Sequence, residues 1–347
     1  ILAQAIRAED AVSLQSMIFL SPPLTEPLPS IPALTLMRWP LVLLLSALLP
    51  PVDSLRATSY AATPDVGKGK IFFLMLADDG IEQEDIWVNF LSGGRHGVNY
   101  EAYIHCSNYE GCKRNLKRRD LFTLVPKVPS LYCADLVSPM LALLSAAYKH
   151  SKPGNPHDKF VLVSDNSVPV KPFWRAHQIL TVGKEGVASF SFFPEDFQKC
   201  GFFKASQWFV LSNWHAGRML KAAYEKLPEP TGQCYEGSCL DENWPLVGIY
   251  GEAELRKWPK YPKALERTRY WWTDWNHRYK LSYEREALAG PMGPAVVKSA
   301  SPEFLRELRS MENVLFARKF MRTTKFDGNL SLPEAFNEYL FKNASHH

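Results

Sequence analysis

Two cysteines bracket a four-residue turn in Cys234-Tyr-Glu-Gly-Ser-Cys239, and two carboxylates, Asp241 and Glu242, follow in an aromatic, proline-containing setting. A short Cys–Cys loop can fix a backbone segment, and a carboxylate just beyond it is well placed to serve as a positioned base. A basic run, Lys113-Arg114-Asn-Leu-Lys117-Arg118-Arg119, could attract phosphates or an anionic polysaccharide, although such runs are more often solvated loops. Ten Trp and fourteen Tyr add flat faces that can stack on sugar rings, though most aromatics in a chain are core.

The elements that must position these groups are readable along the middle of the chain. Lys70-Ile-Phe-Phe-Leu-Met-Leu76 is a short apolar run closed by Asp78-Asp79-Gly80, so it reads as a buried strand. Residues 84–91 follow with helical spacing of Ile86, Trp87, Phe90 and Leu91. Tyr100 to His105 reads as a second strand, Leu136 to Tyr148 as a helix, and Phe160 to Ser164 as another buried strand ending in Asp165-Asn166-Ser167. Strands alternating with helices predict an α/β fold, a mostly parallel central sheet flanked by helices. Ligands of such sheets collect at the carboxyl ends of the strands, here 77–79, 105–107 and 164–167. Beyond about Ala205 the pattern loosens into aromatic, charged and proline-rich stretches, read as part of the same domain rather than a separate one. Ser301-Pro302-Glu303 opens a helix well, with a capping Ser, Pro at the first position and Glu in the first turn.

At 347 residues with 46% hydrophobic content, the chain can bury a large core in one big domain or two small ones. A net charge of +4 is too weak to suggest a nucleic-acid binder, and no nucleic-acid partner is expected. Residues 1–36 carry scattered charges without a period and are expected to be unstructured or outside the mature protein. Met37-Arg38-Trp39-Pro40 leads into an apolar run to Leu49, short for a spanning helix, so 37–52 suits a signal peptide or a short signal-anchor. Residues 53–69 would then be a stem and 70–347 the catalytic domain. Six cysteines (106, 112, 133, 200, 234 and 239) make an even count beside that signal, which favours disulfides over zinc. Cys106–Cys112 and Cys234–Cys239 are the local candidates. Two Asn-x-Ser sequons, at Asn329 and Asn343, fit a lumenal domain.

Read in order, Ala205-Ser-Gln-Trp208-Phe, Cys239-Leu-Asp241-Glu242, Trp272-Thr-Asp274-Trp275 and Leu315-Phe-Ala-Arg318-Lys319-Phe320 resemble the core-2/I-branching N-acetylglucosaminyltransferase family, glycosyltransferase family 14, and its plant and algal branch most closely. The resemblance runs from about Lys70 to Phe320. It implies a GT-A type glycosyltransferase fold, a UDP-sugar donor and an inverting transfer that needs no divalent metal and no cofactor. It assigns Glu242 as catalytic base. Lys319 matches the family's diphosphate-binding lysine, with Arg318 beside it and Arg267 or Arg269 near a second basic residue. His105 and Asp165 would line the donor side, and Trp208, Asp274 and Trp275 the acceptor side, with core packing an equal alternative for the tryptophans. A metal-dependent relative would show Asp-x-Asp at the end of a central strand, whereas Ser164-Asp165-Asn166-Ser167 carries a single carboxylate. An aspartate of the animal branch is replaced here by Ser107, as in the plant branch. The expected product is a β-linked N-acetylglucosamine, glucuronic acid or xylose on an oligosaccharide or glycoprotein, made in the Golgi by a type II membrane protein held by its amino-terminal anchor, or by a secreted one. The alternative is a catalytically inactive, lumenal carbohydrate-binding relative.

Overall fold

In the computed structural model, residues 68–132, 135–193, 204–222, 239–255, 264–274, 283–284 and 294–342 are described. The expected anchor, the expected stem up to residue 67, Cys133, Cys200, Cys234, Trp275 and Asn343 lie outside them.

The run Ile-Phe-Phe-Leu-Met-Leu-Ala forms strand β1 (Ile71–Ala77), buried along nearly its whole length. A strand apolar on both faces must be covered on both, and the sequence supplies the covers. The crossover after β1 carries helix α1 (Glu84–Leu91) and returns as β2 (Tyr100–Cys106), parallel to β1. Helix α2 (Tyr109–Asn115) leads to β3 (Phe122–Leu124), parallel to β2, and α3 (Val137–Tyr148) to β4 (Lys159–Ser164), parallel to β1 on its other side. Phe72, Leu74 and Leu76 pack towards Met140, Leu143 and Leu144 of α3. Phe73 and Met75 pack towards Trp87 and Phe90 of α1 and towards Phe173 of α4 (Phe173–Thr181). A short β5 (Val168–Pro169) precedes α4. Each fully buried large side chain contributes roughly 1.5–3 kcal/mol.

The sheet then changes character. Strand β6 (Ala188–Phe193) and β7 (Lys204–Ser212) continue it as antiparallel neighbours, and β8 (Leu265–Glu266) closes the edge parallel to β6. Among the described residues the order is β3-β2-β1-β4-β7-β6-β8. This is the mixed α/β, mostly parallel sheet flanked by helices that the sequence predicts. Helices α5 (Asn213–Lys221) and α6 (Leu240–Tyr250) cover the β7 side, with Trp244 fully buried, and a short α7 (Glu252–Leu255) follows.

Two small sheets complete the carboxyl-terminal part. One contains β9 (Trp271–Thr273), the other β10 (Tyr283–Glu284) and β11 (Val296–Ala300). Helix α8 (Pro302–Ser310) begins where expected, the Ser301 hydroxyl accepting the Phe304 N–H at 3.2 Å. It leads to β12 (Phe316–Arg318) and β13 (Phe320–Phe326). The sheets are ordered β5-β12-β9 and β10-β11-β13. Helix α9 (Leu332–Phe336) packs Phe336 against Phe320. Thus β12 joins β5, just beyond β4, to β9, and carries Arg318 and Lys319 to the carboxyl ends of β1 and β4.

Candidate functional site

Chain order places β2 and β3 on one side of β1 and β4 on the other, so the connections diverge at the carboxyl ends of β1 and β4. Such a switch point is where open α/β sheets leave a crevice for ligands. The turn 164–167 sits there, braced from three directions. Asp165 N–H donates to Leu76 O at 2.9 Å, Glu82 N–H donates to Asp165 O at 3.0 Å, and Phe320 N–H donates to Asn166 O at 2.8 Å. Asp78 N–H reaches the Asp165 carboxylate at 3.3 Å. Burial pushes the Asp165 carboxyl up to about 6, with the Glu82 charge adding and Arg318 and the N–H donors opposing.

Arg318 ends β12, whose register pairs Ala317 with Val168 on one side and Arg318 with Thr273 on the other. Its guanidinium carbon lies 4.7 Å from the Trp208 ring centre, a cation–π contact. The Nε atom is sealed from solvent and has no hydrogen-bond partner. Among the described residues the guanidinium makes no hydrogen bond at all; its opposite charge is Asp165, with the Tyr132 phenol also in electrostatic range. Burial lowers the Arg318 pKa to about 10, against those two influences. Tyr132 itself is 79% exposed. The next residue, Lys319, is half-buried, and its carbonyl accepts the Val297 N–H at 2.9 Å.

Trp208 reaches Arg318 because β7 is irregular. Phe209 faces Phe190 whereas Ala205 faces Phe192, so residues 206–208 bulge from the ladder. The Ser206 hydroxyl accepts the Trp208 N–H within the bulge at 3.2 Å. Trp208 is 6% exposed and belongs to the core beneath α3 and α6.

The same strand leads to Glu242. Lys204, at the start of β7, approaches Glu242 Oε2 at 3.4 Å. That oxygen also accepts the Cys239 N–H at 3.3 Å, in a capping box over the first turn of α6. Both interactions fall on Oε2, so Oε1 has no partner among the described residues, and the side chain is 25% exposed. The ion pair and the helix cap are therefore both real, and neither consumes the oxygen that a base needs. Asp241 behaves differently. It is 1% exposed, its Oδ1 is buried without a hydrogen bond, and burial pushes its carboxyl up to about 7, with the Glu242 charge adding. Cys239 is disulfide-bonded. Of the two local disulfide candidates, Cys106–Cys112 is formed, tying the end of β2 to α2.

The remaining candidates sit apart from this line. His105 is buried, its Nε2 accepting the Val128 N–H at 3.1 Å, so it anchors the loop after β3. Arg267 and Arg269 are exposed on the segment between β8 and β9, Arg267 lying over Phe192. Trp272 packs edge-on against Phe304. Asp274 is buried one residue beyond Thr273, the register partner of Arg318, and its carbonyl accepts the Ala295 N–H. In the basic run, Lys113, Lys117 and Arg118 pair with Glu110, Asp85 and Asp120.

Sequence reasoning did not find the network that closes the mouth of β1. Asp79 binds Arg322 at 2.6 Å and Asn115, while Asp78 accepts from the Ser107 hydroxyl. The Asp78-Asp79 pair marked the strand end, but its partners come from distant segments. Lys204 carried no signal, because its role depends on the antiparallel pairing of β7. No protein-family model matches the chain, and no curated protein matches it either.

Proposed function

We propose that this chain is a glycosyltransferase that moves a sugar from a UDP-sugar to a hydroxyl of a glycan acceptor, with inversion and without a divalent metal. One observation carries the reading. A partly buried guanidinium with no hydrogen bond among the described residues stands near the turn at the end of β4, and β7, whose Trp208 stacks on it, begins at Lys204, the partner of the Glu242 carboxylate. Buried donors left without partners are rare and ask for a ligand. An arginine fork matches phosphate oxygens bidentately, and nucleotide diphosphates supply them.

In this reading Arg318 and Lys319 neutralise the diphosphate, while Asp165, His105 and Arg269 belong to the donor side. Asp274 and Trp275 belong to the acceptor side. The acceptor oxygen attacks the anomeric carbon, the bond from that carbon to the diphosphate oxygen breaks, and UDP departs with the bonding electrons. Glu242 Oε1 takes the acceptor proton. The turn at the end of β4 offers one carboxylate, and the neighbouring Asp78 and Asp79 side chains are already engaged by Ser107, Asn115 and Arg322. Fixed cations therefore take the charge-balancing role that an ion takes elsewhere. A GT-A fold, attachment to the Golgi membrane through the segment near Met37, and a lumenal site belong to the same proposal. The Cys106–Cys112 disulfide suits such an oxidising compartment.

The test is UDP release by the purified chain with UDP-N-acetylglucosamine, UDP-glucuronic acid and UDP-xylose, each with and without glycan acceptors. Release above background with one donor, retained in chelator, supports the proposal. Background with every donor favours the inactive, carbohydrate-binding alternative. Complete loss in chelator with rescue by manganese removes the role given to Arg318 and Lys319.

A further inference from the structure

Trp208 is expected on the acceptor side, where an aromatic face would stack on a sugar ring. Its surroundings argue for different work. A stacking platform needs an open face, and Trp208 is 6% exposed within the core cluster. Its ring carries the Arg318 guanidinium at 4.7 Å. The bulge at 206–208 fixes where the indole points, and the Ser206 hydroxyl holds its backbone. Among the described residues Arg318 has no other fixed neighbour of this kind and makes no hydrogen bond, and its counter-charge, Asp165, is committed to backbone contacts at the end of β4. Without the ring, the long arginine side chain would sample several rotamers across the crevice.

Resting on the diphosphate role proposed for Arg318, we infer that Trp208 is a positioning residue of the donor side: it holds the Arg318 guanidinium in one orientation for a phosphate or diphosphate and does not touch the acceptor. The ring supplies cation–π attraction in a desolvated setting and removes rotamer freedom before the anion arrives, which raises affinity by preorganisation. Its effect on binding is therefore routed entirely through Arg318.

Calorimetric titration of UDP and of inorganic pyrophosphate into the full chain tests this. The set is wild type, Trp208→Phe, Trp208→Leu, Arg318→Met and each Trp208 variant combined with Arg318→Met. Loss of the ring in Trp208→Leu is expected to weaken UDP about tenfold, and Trp208→Phe about threefold, since phenylalanine is a poorer cation partner. In the Arg318→Met background both Trp208 changes should have no further effect, a non-additivity that mere loss of core packing would not produce. If Trp208→Leu fails to fold, the Trp208→Phe cycle gives the answer. Equal weakening in both backgrounds, or unchanged UDP affinity in both single variants, overturns the inference and leaves the diphosphate role of Arg318 standing. Wild type binding neither UDP nor pyrophosphate overturns both.

Discussion

Arg318 and Arg322 stand one short step apart in sequence, on β12 and β13, yet they occupy opposite kinds of environment. Arg322 is exposed and fully used: its guanidinium binds Asp79 at 2.6 Å, its N–H donates to Glu82 at 2.7 Å, and the Glu82 carboxylate lies 3.8 Å from its Nε. Arg318 is drawn inward against Trp208 and donates to nothing among the described residues. Exposed ion pairs are worth little, typically under about 1 kcal/mol, and serve to tether segments. A shielded donor without a partner costs stability, and such violations gather where a protein works. Pairing makes Arg322 a strap across the mouth of β1, and the lack of a hydrogen-bond partner among the described residues supports the ligand-facing role proposed for Arg318.

The same contrast separates two capping boxes, and there the largest effect is expected. Glu242 and Glu334 occupy the same position in their helices, each accepting the N–H of its capping residue. Each uses only its Oε2 among the described residues, but Glu334 is exposed and bonds only Ser331, whereas Glu242 is partly buried and also pairs with Lys204 at the start of β7. Glu242→Gln should lower UDP release in the presence of acceptor by about 10²- to 10⁴-fold, the range for losing a positioned base. Glu334→Gln should leave the rate unchanged and move the melting temperature little. Equal rates for both variants would reduce Glu242 to a helix cap.

Next in size is the contrast in affinity between the arginines themselves. Arg318→Met should weaken UDP about thirtyfold, since hydrogen bonds to a charged group are worth roughly 1.5–3 kcal/mol. Its melting temperature should hold or rise, because an apolar side chain of similar length meets no desolvation cost there. Arg322→Met should leave UDP affinity within about twofold, as an exposed pair away from the ligand would. Calorimetry and thermal melts on the two variants break the comparison if the losses are reversed.

How much of this was legible beforehand follows from which contacts are local. Helix α1 spans the expected residues 84–91, and the strands β1, β2 and β4 lie within a residue or two of their expected positions, because apolar runs and helical spacing are written in adjacent residues. The Ser301 cap is likewise local. Strand β7 went unread as a strand. Its Ser206-Gln207-Trp208 stretch has no clean alternation, and the structure shows why: those residues form the bulge. The site itself is non-local. Trp208 was legible as an aromatic and Arg318 as a cation, but their stacking depends on β12 being carried back to the sheet. The open oxygen of Glu242 depends in the same way on Lys204.

Asp241 and Glu242 repeat the contrast between unpaired and paired side chains in adjacent residues, and here the readout is pH. The Asp241 carboxyl is pushed up to about 7 by burial, against about 3.9 for an unfolded chain. Between those values the folded protein keeps a proton that the unfolded chain has released, so wild type loses stability as pH rises from about 4 to about 7, and no more from this group above that. Asp241→Asn does not titrate and should melt increasingly above wild type across that window, with a constant advantage at higher pH. A difference independent of pH would mean that Asp241 keeps its charge in the fold.

The smallest effect should come from cutting the strap. Arg322→Ala removes the Asp79 and Glu82 side-chain contacts but leaves the Arg322 N–H on Glu82, so β13 stays docked at the end of β1. With the guanidinium half open to solvent, the loss in chemical denaturation should be under about 1 kcal/mol and should shrink in about 1 M salt, where screening acts over only about 3 Å. The Gly80 turn packs near this guanidinium, its missing Cβ only 3.1 Å from Arg322 Nη2, so the arginine also fills space there. A cost above about 2 kcal/mol that salt leaves untouched would show that filling, rather than charge, is what Arg322 contributes. The separation between a tethering and a ligand-facing arginine would then rest on Arg318 alone.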